Sequence, residues 1–119
     1  MHVHITEAFI DEIAAKYGAD FKGGYAYSQT ISLMKTYVLL ANNEGIIAVS
    51  LGASGEIKDE IYYPYAKLDS FVLKESVLTN KAIIKPNGGE KIEFTIPKKT
   101  SGTSDYQNCL INFLAKKVK

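Results

Sequence analysis

The sequence predicts an α+β fold, in which an antiparallel sheet of about seven strands curls into a partly open barrel or sandwich. Apolar residues recur at helical spacing near both ends of the chain, and short β-forming runs separated by turn residues fill the region between. Seven short strands joined by turns cannot lie flat in a chain of 119 residues, so the sheet must curl. The C-terminal helix is expected to cap the opening.

The first helix is predicted over residues 6–17, within an N-terminal helical extension assigned to residues 1–24. Thr6 is a candidate N-cap, and Gly18 has the place of a residue that ends a helix. Five apolar residues share one face at helical spacing: Phe9, Ile10, Ile13, Ala14 and Tyr17. So short a helix must dock on another element to persist.

The strands are predicted within residues 25–96. The seven runs are 25–31, 35–41, 46–51, 57–65, 69–74, 81–85 and 90–96. The last run alternates cleanly, with Ile92, Phe94 and Ile96 expected to point inward. Gly23-Gly24 and Gly88-Gly89 are both interpreted as turn glycines.

The last helix is predicted over residues 104–118. Ser104 and Gln107 have the spacing of a capping box. Its apolar stripe comprises Tyr106, Cys109, Leu110, Phe113 and Leu114. This stripe predicts a helix that seals one mouth of the sheet, with Cys109 as a buried structural residue and no catalytic cavity behind it.

One stretch carries a resemblance to a known family. The run Ile-Tyr-Tyr-Pro-Tyr-Ala-Lys-Leu-Asp-Ser-Phe-Val-Leu-Lys, residues 61–74, resembles the middle of bacterial pleckstrin-homology-like (PH-like) domains of uncharacterised function. There a strand ends in a Pro-Tyr step, a short turn follows, and the next strand begins. The resemblance covers roughly residues 25–118 and implies one PH-like domain over residues 1–119. Many eukaryotic members carry a Trp in the last helix, and this chain has none.

Composition argues against several classes of function. All 14 cations are lysine and the net charge is +1, whereas nucleic-acid readers usually carry clustered Arg and Lys. His2 and His4 alone make a poor metal site, and the single cysteine excludes a disulfide framework, so neither metal nor cofactor is expected. The N-terminus lacks a signal-peptide pattern and no apolar run approaches the ~20 residues of a membrane span. We therefore expect a cytoplasmic protein without a transmembrane segment.

The chain also lacks the common catalytic motifs. It has no Ser-centred elbow, no phosphate-binding Walker loop and no HExxH pair. The sequence therefore predicts a non-enzymatic binding or scaffold module, with a protein partner or a second copy of the chain as its ligand. A small-molecule, lipid or membrane-surface binding domain is the alternative.

Four residues are candidates for binding: Leu33, Met34, Lys35 and Tyr62. Eukaryotic members of the resembled fold bind inositol phosphates with basic residues around the first strand-to-strand loop, which here is Ser32 to Lys35 and holds one lysine. Leu33 and Met34 are either exposed contacts for a membrane or partner, or core residues, and the core is favoured. Tyr62 should point opposite to Tyr63 and thus toward the surface.

Overall fold

The computed structural model describes residues 5–18, 20–29, 34–100 and 102–118, and it confirms the predicted order of elements. Seven strands lie between two helices. The elements are α1 (Glu7–Ala14), β1 (Lys22–Gln29), β2 (Met34–Ala41), β3 (Gly45–Leu51), β4 (Ile57–Pro64), a 3-10 turn (Tyr65–Lys67), β5 (Leu68–Glu75), β6 (Thr79–Pro86), β7 (Ile92–Pro97) and α2 (Ser104–Ala115).

The strands form one antiparallel sheet in the order β4-β3-β2-β1-β7-β6-β5. Strands β1 and β7 join its two halves, and in the described residues their ladder has a single pair, Tyr27 with Thr95. Since β4 and β5 lie at opposite ends of the order, the sheet is not closed into a barrel. This arrangement confirms the predicted α+β class and the partly open sheet.

Local signals explain where several elements begin and end. The Thr6 side chain accepts a hydrogen bond from the Phe9 N–H at 3.1 Å, which caps α1 as predicted. Gly18 follows the helix with φ of 124°, a conformation that favours glycine. Gly88 has φ of 72° in the turn between β6 and β7, where a glycine turn was also predicted.

The inner core lies between the two halves of the sheet and α2. Phe94 and Ile96 of β7 are buried in it, and Ile92 packs against it, as the alternation of β7 predicts. From α2 it receives Leu110 and Leu114, both fully buried. The helix thus covers the opening of the sheet with its apolar stripe.

A second, outer core lies on the other face of β2 and β3. Val38 and Leu40 point into it, whereas their neighbour Leu39 points into the inner core. Helix α1 covers this outer face with Ile10 and Ile13. The middle strands are therefore buried on both faces, so the N-terminal helix is a packed layer over the sheet.

Gly23 and Gly24 lie inside β1, so their prediction as turn glycines was wrong. A Cβ atom on Gly23 would stand 2.5 Å from the Ile10 side chain of α1. A Cβ on Gly24 would stand 2.8 Å from both the Gln107 and the Leu110 side chains of α2. Successive strand residues face opposite sides of a sheet, so the two glycines allow one helix to approach β1 from each face.

The predicted capping box at the start of α2 is also wrong. Thr103 occupies the N-cap position, and the Ser104 hydroxyl instead donates to the Thr100 carbonyl at 2.9 Å. Gln107 is fully buried and points toward the sheet. In a capping box the Gln side chain turns back toward the start of its own helix, whereas here it hydrogen-bonds to the strands.

Gln107 satisfies backbone groups where β1 and β7 diverge. Its Oε1 accepts the Tyr25 N–H, and its Nε2 donates to the carbonyls of Tyr25 and Pro97, both at 2.8 Å. A carboxamide has the same donor and acceptor groups as a peptide bond. One side chain of α2 thus replaces ladder hydrogen bonds that the two strands do not make with each other at this point.

Replacing Gly24 with alanine should destabilise the fold by about 1–3 kcal/mol, the usual cost of adding a methyl group to a packed site. The added Cβ would displace Gln107 and Leu110 together. Urea unfolding of Gly24→Ala measures the effect. Gly89→Ala is the matched control because its Cβ meets nothing closer than 3.4 Å. Equal stability of the two variants would contradict the close approach of α2.

Replacing Gln107 with methionine should cost roughly 3 kcal/mol, because three partly buried backbone groups lose a hydrogen bond while side-chain volume is kept. Asn108→Ala, an exposed position on the same helix, is the control. Chemical unfolding of both variants separates a specific loss of hydrogen bonds from a general effect on helix propensity. A Gln107→Met protein as stable as the wild type would show that these bonds are dispensable.

Candidate functional site

Strand β4 forms an exposed edge of the sheet. In the described part of the chain it pairs with β3 and with no strand on its other side. Five successive residues, Lys58–Tyr62, are exposed before Tyr63 is buried. An edge strand of this kind presents backbone N–H and C=O groups that an added strand can pair with.

The apolar part of this edge consists of Ile61 and Tyr62. Tyr62 is 48% exposed and Tyr63 only 7%, so the predicted opposition of these two rings is confirmed. Ile61 is on the same side as Tyr63 yet is 47% exposed. Alternation along the strand gives the direction of Ile61 correctly, but no opposing layer covers it at the edge.

The other part of the edge is charged. The Tyr17 hydroxyl, in the turn after α1, donates a hydrogen bond to Glu60, and Lys58 Nζ lies 3.6 Å from Glu56 Oε1. Asp59 is exposed between them. Exposed ion pairs contribute little stability, so these residues mainly give the edge its charge pattern.

The other predicted binding residues lie elsewhere. Met34 is 54% exposed and Lys35 is exposed at the start of β2, whereas Leu33 lies outside the described residues. The preference for burial of Met34 was therefore wrong, because the first residues of β2 extend beyond both cores.

The sheet register separates these residues from the β4 edge. Thr36 of β2 is opposite Leu51, whereas Tyr62 is opposite Ile47. Met34 and Tyr62 are thus two strands apart and several residues apart along the sheet. The structure therefore does not bring Met34 and Lys35 into one site with Tyr62.

The tyrosines do not form an exposed cluster. Of the eight tyrosines, all of which the structure describes, Tyr62 is exposed and the other seven are buried or half-buried. Tyr37 packs edge-on against Phe94 with centroids 5.1 Å apart. Tyr65 begins the 3-10 turn, so its predicted place in a strand was wrong, and it stacks on Phe71. Most tyrosines therefore stabilise the sheet, and Tyr62 is the one available at the surface.

The pKa values of several tyrosines are raised, whereas backbone hydrogen bonds lower the pKa of Glu56 beside the β4 edge. Burial raises the pKa of Tyr65 to about 12, with a smaller contribution from Tyr62. The pKa of Tyr106 is raised because its hydroxyl donates to the Asp11 carboxylate at 2.8 Å, which also ties α2 to α1. Burial is the main cause of the raised pKa values of Tyr25, Tyr37 and Tyr63. The raised pKa values affect charge only in the alkaline range, because a phenol is already neutral near pH 7 at its ordinary pKa of 10.0.

Cys109 is exposed, so its prediction as a buried structural residue was wrong. It lies beside the apolar stripe of α2, of which Leu110 and Leu114 are the buried members.

Among the residues described, no three His, Cys, Asp or Glu side chains are grouped to hold a metal ion. His2 and His4 lie outside the described residues. No helix in the described ranges has the length and apolar character to cross a bilayer.

Comparison with known proteins identifies one family. A family model described as "Bacterial PH domain" matches residues 22–103, which is more than half of the chain. The matched segment begins at the first residue of β1 and extends through β7 to the N-cap of α2. No curated protein matches the chain.

Stability should fall between pH 10 and pH 12, and Tyr65→Phe should lessen the fall. The folded pKa of Tyr65 is raised from 10.0 to about 12, so the folded state keeps a proton that the unfolded state loses. This contribution is fully present below pH 10 and is lost as the pH rises toward 12. Chemical unfolding at pH 9 and about pH 11.5 checks it.

The control for this experiment is Tyr62→Phe, which removes an exposed hydroxyl. It should lose nearly as much stability at alkaline pH as the wild type, because Tyr62 makes only the smaller contribution to the raised pKa of Tyr65. An identical loss in Tyr65→Phe and in the wild type would contradict the assignment to Tyr65.

Proposed function

The chain belongs to the bacterial PH domain family, and we propose that it is a non-enzymatic cytoplasmic binding module whose ligand is a protein. Membership of this family supports a binding module of unspecified ligand. The observation that carries the choice of a protein is the open edge of β4, which combines a free strand edge with two exposed apolar side chains, Ile61 and Tyr62.

The proposed mode of binding is strand addition. An extended segment of the partner pairs with β4 through backbone hydrogen bonds, and its side chains alternate between the two faces of the sheet. Ile61 and Tyr62 lie on opposite faces, so each contacts a different set of partner side chains. Tyrosine is favoured in such contacts because it buries a large area at low cost in conformational entropy.

The charges of the edge limit which segments bind. Charged residues on an edge strand discourage indiscriminate pairing, and β4 carries Lys58, Asp59 and Glu60. A suitable partner therefore places basic residues near Asp59 and Glu60, and apolar residues near Ile61 and Tyr62. Self-association is the variant of this proposal in which the partner is a second copy of the chain.

The interior is less suited to a ligand. Phe71, Ile84 and Ile96 of the inner core are fully buried between the half-sheets and α2, with Phe94 beside them at 2% exposure. Side chains thus occupy the space that a small-molecule or lipid carrier needs, which favours a surface site. Leu33, Met34 and Lys35 are proposed as a second contact, supported by the exposure of Met34.

Peptides selected from a display library against the folded chain test the proposal. Their binding should perturb the NMR amide signals of residues 57–63 in β4 and slow hydrogen exchange there, because pairing protects backbone N–H groups. Tyr62→Ala should weaken binding at least about tenfold, as expected for a tyrosine central to an interface. The matched control is Val72→Ala, an exposed apolar residue on the opposite edge strand.

Light scattering of the free protein distinguishes the two kinds of partner. If the free protein is a dimer, and Ile61→Lys dissociates it whereas Val72→Lys does not, the β4 edge is a site of self-association. Amide perturbations confined to the start of β2 or to β5 would contradict the β4 site.

A further inference from the structure

The two most exposed large apolar residues of the described chain are neighbours at the tip of the β5–β6 hairpin. Val77 is 88% exposed and Leu78 is 76% exposed. They occupy the turn between Glu75 and Asn80, the last residue pair of the β5–β6 ladder. We call these two residues the apolar tip.

The backbone of this turn is well anchored. The Ser76 N–H donates to the Thr79 carbonyl at 2.8 Å, and the Ser76 hydroxyl reaches the same carbonyl at 3.0 Å. From the other side, the Lys98 N–H donates to the Leu78 carbonyl at 3.0 Å. The hairpin therefore holds Val77 and Leu78 outward, and they do not turn back onto either core.

The fold does not require apolar residues at this position. Turns usually contain Gly, Asn, Asp, Pro or Ser, whose side chains or backbone freedom favour the bend. Val77 and Leu78 provide neither property and fill no core. Apolar side chains that are exposed together mark surfaces that contact a protein or a membrane.

Lysines surround the apolar tip. Lys74 and Lys81 are directly opposite each other in the β5–β6 ladder, an arrangement of like charges that costs stability. Lys98 and Lys99 follow β7 beside the tip. Two of the four lysines have acidic partners, Lys81 with Glu93 at 3.2 Å and Lys98 with Glu75 at 3.0 Å. The surroundings of the tip are therefore net positive.

From this combination we propose that the β5–β6 hairpin inserts its apolar tip into a lipid bilayer with an anionic surface. The tip enters the interface between headgroups and acyl chains, and the lysines remain at the level of the negatively charged headgroups. The ligand is the anionic bilayer itself, and the hairpin is distinct from the loop at residues 32–35. This surface is independent of the β4 edge, so both can be occupied together.

The expected binding is weak and reversible. Two inserted side chains bury less apolar area than a single myristoyl chain, which alone gives a partition constant of about 10⁴ M⁻¹. The lysine contribution should make binding depend on anionic lipid and decline as salt is added. Stable attachment would therefore need a second contact, such as a membrane-associated protein on the β4 edge.

The absence of tryptophan from the chain allows a direct test with a single reporter. Leu78→Trp should show a blue shift of its emission with vesicles of equimolar phosphatidylglycerol and phosphatidylcholine, and acyl-brominated lipids should quench it. Val72→Trp places the matched reporter on the body of the same hairpin, where it should stay in water. Phosphatidylcholine vesicles alone should have little effect on either protein.

Vesicle sedimentation of tryptophan-free variants completes the test. Val77→Ser/Leu78→Ser should lower the bound-to-free ratio at least about tenfold, because its two substitutions remove the inserted apolar groups, whereas Val72→Ser should not. Both variants change exposed residues, and thermal unfolding verifies that they fold. An unshifted Leu78→Trp emission, or equal binding to neutral vesicles, would overturn the proposal and assign the tip to a protein contact. Wild-type binding by the double variant would overturn it as well.

Discussion

The fold depends on the close approach of two helices to β1 at two adjacent glycines. Gly23 faces α1 and Gly24 faces α2, and neither position has room for a methyl group. Gln107 then hydrogen-bonds to the backbone of β1 and β7 from within α2. Without this contact, the diverging strands would leave partly buried backbone groups without these hydrogen bonds, which costs more than the loss of an exposed hydrogen bond.

This contact determines which surfaces are open to a partner. With α2 held over the inner core and α1 over the outer core, the middle strands β2 and β3 are covered on both faces. The strands at the ends of the order, β4 and β5, are the ones left with an unpaired edge in the described part of the chain. The proposed protein contact on β4 follows from that topology, whereas the proposed bilayer contact follows from the position of Val77 and Leu78 beyond the last pair of the β5–β6 ladder.

The elements and the direction of most side chains could be predicted because they depend on local pattern. Alternation along β7 and the exposure of Tyr62 follow from a period of two. The predictions that were wrong concern residues whose environment depends on which layer of the fold packs over them. A Gly-Gly pair such as Gly23-Gly24 is compatible with a turn and also with the close approach of two helices to a strand. Gln107 has the spacing of a capping-box residue, but it is buried against the sheet. Cys109 lies on the periodic stripe of α2, and Ile61 lies on the same side of β4 as the buried Tyr63. Both are nevertheless exposed, because no other described element packs over them.

The sequence contains a signal for the apolar tip, since Val77 and Leu78 lie between Ser76 and Asn80, two typical turn residues, in the segment that separates two β-forming runs. Its exposure became evident only when the register of the hairpin placed both residues beyond the last ladder pair.

The Tyr25 backbone amide offers the most direct test of the contact on which this account depends. Its N–H donates to the side chain of Gln107, and in the described residues the β1–β7 ladder pairs only Tyr27 with Thr95. Native-state hydrogen exchange should therefore give this amide the same protection as the buried amides of β2, because only opening of α2 from the sheet exposes it. Exchange of the Tyr25 amide at the rate of a solvent-exposed edge amide would contradict the account.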